Sequence, residues 1–98
     1  MKTVTYIGTS EYNMFNKNGE ISYVLPVEFK DLTDVGICEQ AFTIFNAPLE
    51  MLDDWQVKLS DKARQKMLTS MSVGDTVQIT NEGRSVSYVC EITGWRKL

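Results

Sequence analysis

Ile37-Cys38-Glu39-Gln40-Ala41-Phe42-Thr43-Ile44-Phe45 decides the order of elements in this chain. The segment reads as a strand with Cys38, Phe42 and Ile44 turned inward, and so as the third extended segment before any helix begins. A loop at Asp31–Gly36 separates it from the plainest period-two stretch in the sequence. There Ile21, Tyr23, Leu25, Val27 and Phe29 share one face, and Ser22, Val24, Pro26 and Glu28 share the other. Further upstream, Thr3–Gly8 alternates Val4 and Tyr6 against threonines. Between these two segments Asn16-Lys17-Asn18-Gly19 signals a turn, since Asn and Gly tolerate positive φ.

After Phe45 the period changes. Asn46 is placed to cap a helix, with Pro48 in its first turn and Glu50 near the positive end of its dipole. Leu49, Leu52, Trp55 and Leu59 recur at helical spacing. Ser60 is a second candidate cap, followed by Asp61 and an apolar face of Ala63, Met67, Leu68 and Met71. These residues make two short helices or one bent one. Val73-Gly74-Asp75 then turns into a strand at Thr76–Thr80, and Asn81-Glu82-Gly83 reads as a hairpin loop. Ser85–Thr93 is the last strand, with Val86, Tyr88, Cys90 and Ile92 on one face; Gly94 and Trp95 close it.

The expected order is therefore βββ-α-ββ: an α+β domain with a five-stranded antiparallel sheet and one or two helices between strands 3 and 4. That is the layout of an OB-like barrel, and Gly8 would supply a bend for closure. Pro26, which cannot donate to a ladder, argues instead for an open sheet covered by helices.

The length of 98 residues fits a single domain spanning 1–98, and 43% hydrophobic with 23% charged residues is a globular composition. Cys38 and Cys90 lie in apolar segments with no further cysteines, which fits buried reduced thiols in a cytoplasmic protein. The N-terminus turns polar at once, and no apolar run approaches the ~20 residues that span a bilayer, so no membrane role is expected.

Catalysis finds little support. Histidine is absent, which removes the commonest general base and metal ligand. No glycine loop for phosphate is present, and no cofactor is expected. Asp53-Asp54 and Asp31/Asp34 are the remaining acids, better explained as a solvent-facing helix position and as turn formers.

The expected activity is binding, by a non-enzymatic protein of the size and composition common among small bacteriophage accessory and inhibitor proteins. The contact is expected to be with another protein. Tyr12, Met14 and Phe15 form one cluster of candidate anchors in a polar stretch. Val24, Pro26 and Ala41 form an apolar centre on the outer face of strands two and three, rimmed by Glu28 and Glu39. Residues 1–54 carry nine acids against three bases, which suits a basic or nucleic-acid-binding partner.

Single-stranded nucleic acid is the alternative. It would use Tyr12 and Phe15 beside Lys17, with Lys58, Lys62 and Lys66 aligned along a helix. Against it, the outer face expected for strands two and three carries two carboxylates and no aromatic side chain. Trp95, beside Arg96 and Lys97, is expected to pack rather than to bind.

Overall fold

Val4 and Tyr6 alternate with Thr3 and Thr5 in β1 (Lys2–Gly8), and the same period repeats through the sheet. It places Ile21 and Tyr23 in β2 (Gly19–Val24), Val77 and Ile79 in β3 (Thr76–Asn81), and Tyr88 and Cys90 in β4 (Arg84–Glu91). In register, Val4 stands between Tyr23 and Ile79, Tyr6 between Ile21 and Val77, and Tyr88 opposite Val77. All of these side chains are buried, so one face of the sheet is the core face. The computed structural model describes residues 1–9, 19–68 and 70–98.

The fold is α+β: a five-stranded antiparallel sheet, order β2-β1-β3-β4-β5, with two helices on its core face. The sheet is open, with β2 and β5 (Gly94–Lys97) at its edges, so the OB-like barrel is not formed. The element order is also corrected. Both helices, α1 (Asp34–Asn46) and α2 (Asp54–Gln65), lie between β2 and β3.

The stretch expected to be the third strand is the body of α1. Its buried residues are Ile37, Cys38, Ala41, Ile44 and Phe45, a helical stripe at i, i+1, i+4, i+7 and i+8. Phe42, expected inward, is 37% exposed. The helix starts where Thr33 accepts a hydrogen bond from Gly36 N at 3.1 Å, with Asp34 in the first turn at the positive end of the dipole. The fifth strand comes from the C-terminus instead. The chain turns at Ile92-Thr93, pairs Glu91 with Gly94, and returns along β4.

Other boundaries shift for local reasons. β2 stops at Val24, and Pro26, at φ −56° and ψ 143°, leads the chain into one 3₁₀ turn at Val27–Phe29. Asn46 ends α1 rather than opening a helix. Its amide accepts from Met71 N at 2.7 Å and donates to Met71 O at 2.9 Å, tying α1 to the chain that enters β3. Ser60 is buried inside α2 rather than capping it. The cap of α2 is Asp53, whose N–H donates to Gln56 Oε1 at 3.0 Å.

Between the layers, Phe45 of α1 packs its ring 4.9 Å from Tyr6 and 6.5 Å from Tyr23. Trp55 of α2 stands 6.0 Å from Tyr23 and 6.1 Å from Phe29. Phe45, at 2% exposure, contributes roughly 1.5–3 kcal/mol through burial, and the half-buried Phe29 and Trp55 contribute less. Among the described residues, no helix is long and apolar enough to cross a membrane.

Candidate binding surface

At the end of β2 the chain has to leave the sheet. Leu25 N donates to Lys2 O at 2.9 Å as the last rung, and Pro26 follows it out of the sheet. Phe29 N then donates to Pro26 O at 2.9 Å, closing the 3₁₀ turn. This turn sends Leu25 and Phe29 toward the core and leaves two valines outside. Val24 is 54% and Val27 79% exposed.

Across from them stands the β3–β4 hairpin, carried there because Lys2 pairs with Asn81. Its turn residues Glu82 and Gly83 have φ of 52° and 79°, the positive values that a tight two-residue hairpin requires. Between the two walls lies a cleft of about 610 Å³, lined by Lys2, Val24, Pro26, Val27, Lys30 and Glu82, among others.

The structure brings together only part of the site expected from sequence. Val24 and Pro26 meet in the cleft, and Glu28 is exposed on the turn beside it. Ala41 is fully buried in α1 and has no part in any surface. Glu39, meant as the other half of an acidic rim, lies on α1 and accepts a hydrogen bond from Trp95 Nε1 at 3.2 Å, beside the opposite edge strand. Trp95 packs half-buried against the core. Tyr12, Met14, Phe15 and Lys17 lie outside the described residues.

Of the lysine stripe, Lys58 and Lys62 are exposed along α2. Lys66 follows the helix, and its ammonium donates to Glu20 O at 3.0 Å, on the outer edge of β2. Lys2, Val27, Lys30 and Glu82 were missed as lining residues. Pro26 was the available signal, since a proline inside an alternating run marks an edge strand or a strand end, either of which leaves the neighbouring surface open.

A second group of residues escaped the sequence reading altogether. Asp75, read as an ordinary strand opener, is 0% exposed. Its carboxylate accepts from Tyr6 OH at 3.0 Å, Thr9 N at 3.1 Å and Ser72 N at 2.8 Å. Tyr6 OH also meets Leu68 O, and Thr9 Oγ1 donates to Gly74 O at 2.7 Å. These bonds clamp the end of β1 to the connection between α2 and β3. Burial, reinforced by the Asp75 charge, holds the Tyr6 hydroxyl well above the usual phenol range.

The clamp is structural, because every group in it is held by another part of the chain and none faces the cleft. Cys38 and Cys90 are buried and not joined in a disulfide. Burial, then the nearby carboxylates of Asp34 and Glu39, pushes the Cys38 thiol up to about 12, which keeps it protonated and unreactive at neutral pH. Among the described residues no three His, Cys, Asp or Glu side chains converge to hold a metal ion. No protein-family model, curated protein or solved structure matches this chain.

Proposed function

We propose that this chain is a small non-enzymatic binding domain that acts through protein–protein interaction, in the manner of an accessory or inhibitor protein. Its contact surface is the cleft between the end of β2 and the β3–β4 hairpin. The observation that carries this reading is the exposure of Val24 and Val27, 54% and 79%, on the wall of a cleft of about 610 Å³. Exposed apolar side chains grouped at a concavity mark an interaction site more often than scattered ones do. The cleft offers Lys2, Lys30 and Glu82 as its charged groups, with no nucleophile-and-base pair.

Comparative affinity capture with the wild-type protein and a Val27→Lys variant tests the reading. The exposed position leaves the melting temperature within a few degrees, while the captured partner is lost. A partner retained by the variant would place the contact elsewhere. The same protein, titrated against a labelled single-stranded oligonucleotide, is expected to leave its anisotropy unchanged at low salt. A rise that salt abolishes would make Lys58 and Lys62 the functional residues and nucleic acid the ligand.

A further inference from the structure

The cleft continues into an unpaired strand edge, and the two features together describe a ligand. In β2, the rung from Leu25 N to Lys2 O fixes which main-chain groups face β1: those of Gly19, Ile21, Tyr23 and Leu25. Those of Glu20, Ser22 and Val24 point away from the sheet. Glu20 O is occupied by the Lys66 ammonium at 3.0 Å, whereas the Ser22 and Val24 amides and carbonyls have no partner among the described residues. The open stretch of edge therefore runs directly down to the cleft. There the charge is reversed relative to the surrounding chain. Residues 1–54 contain three basic residues, and two of them, Lys2 and Lys30, line the cleft; among its described lining residues Glu82 is the one carboxylate, with Glu28 exposed on the turn beside it.

We propose, resting on the preceding reading of a protein partner, that this edge and cleft receive an extended acidic segment of that partner as a sixth strand. Main-chain hydrogen bonds to Ser22 and Val24 hold the added strand whatever its sequence. Specificity comes from the cleft: a large apolar side chain seats against Val24, Pro26 and Val27, and a neighbouring carboxylate reaches Lys30 and Lys2. The local charge thus selects an acidic segment, the opposite of the basic partner suggested by the overall charge of the N-terminal half. Lys66 limits how far the added strand extends toward Gly19.

Selection of a random-peptide display library on the intact protein tests this. Enriched peptides are expected to combine a large apolar residue with adjacent acids, and Lys30→Glu is expected to weaken them about tenfold in fluorescence anisotropy. N-methylation of alternate peptide amides should abolish binding while methylation of the intervening ones is tolerated, because only every second amide faces the edge. Basic consensus peptides, indifference to Lys30→Glu, methylation effects without alternation, or no enrichment at all would each overturn the proposal. If a partner protein is nevertheless captured by wild type and lost with Val27→Lys, strand addition alone is wrong and the binding surface stands. If Val27→Lys retains the partner, the surface itself is misassigned.

Discussion

Two buried tyrosines on the same face of the sheet make opposite contributions through the same atom. Tyr6 OH is bonded to Asp75 and Leu68 O, whereas Tyr23 OH is buried with no hydrogen-bond partner among the described residues. An unpaired buried hydroxyl carries a desolvation penalty of about 1–3 kcal/mol, and a satisfied one contributes about 1 kcal/mol. Tyr6→Phe is therefore expected to destabilise the protein by about 1–2 kcal/mol, and Tyr23→Phe to be neutral or stabilising by up to about 1 kcal/mol, both read by urea unfolding. Equal losses for the two would mean that the Tyr23 hydroxyl has found a partner.

The same burial sets the pH dependence. Cys38, Tyr6 and Tyr23 all hold their protons more tightly when folded, so each contributes stability that is complete below its unfolded value. As pH rises above about 9, the unfolded chain releases protons that the folded one keeps. Stability then falls by about 1.4 kcal/mol per pH unit for each proton. Unfolding free energies measured across this range should show that decline, and a shallower one in Tyr23→Phe above about pH 10. None of this was legible in the sequence. The alternation identified Tyr6 and Tyr23 equally well as inward, but which hydroxyl finds an acceptor depends on Asp75, brought to Tyr6 from 69 positions away.

At the scale of elements, alternation was informative wherever a strand has one wet face. It located β1, most of β2, β3 and β4, and the glycine of the β3–β4 turn. It failed at Ile37–Phe45, where apolar residues fill both kinds of period and the decisive evidence lies outside the segment. Thr33 and Asp34 form the cap and the first turn, and were read as part of a loop. It failed again at Ile92-Thr93, where β-branched residues normally suited to strands make a turn that Gly94, at φ 137°, completes.

The end of α2 holds a comparable mismatch. Met67 sits at φ 59°, with its N–H donating to Arg64 O at 3.0 Å and Leu68 N–H to Ala63 O at 2.8 Å. This is the paired bond pattern of a Schellman motif, whose left-handed position glycine normally occupies. Met67 is 70% exposed, so little packing is lost on removing its side chain. Met67→Gly should therefore stabilise the protein by roughly 0.5–1 kcal/mol, relieving a left-handed residue that costs about 1–2 kcal/mol, less the entropy of the added glycine. A rise in melting temperature checks it, and a fall would show that the methionine side chain packs more than its exposure implies.

For the molecule as a whole, the difference between an open sheet and a closed barrel is a difference in which backbone amides are satisfied. In the open order, β1, β3 and β4 are paired on both sides, and the β1–β3 pairing joins the N-terminal strand to the C-terminal half of the chain. Among the described residues, β2 and β5 are paired on one side only. Closure would have paired those edges with each other and left no strand groups free for a partner.

The register makes the consequence specific to individual residues. Val4 and Tyr6 bond β2, Thr3, Thr5 and Ile7 bond β3, and Ser22 and Val24 face outward; on the far edge Trp95 and Lys97 face outward too. Amide hydrogen exchange should therefore be slowest along β1 and β3, where opening requires nearly global unfolding. It should alternate within β2, with Ile21 and Tyr23 protected and Ser22 and Val24 exchanging fast. Addition of a bound peptide strand should slow Ser22 and Val24 and leave Trp95 and Lys97 unchanged. Uniform protection along β2 in the free protein would mean that its edge is already covered, and the cleft would then open onto a finished surface rather than onto a strand waiting to be paired.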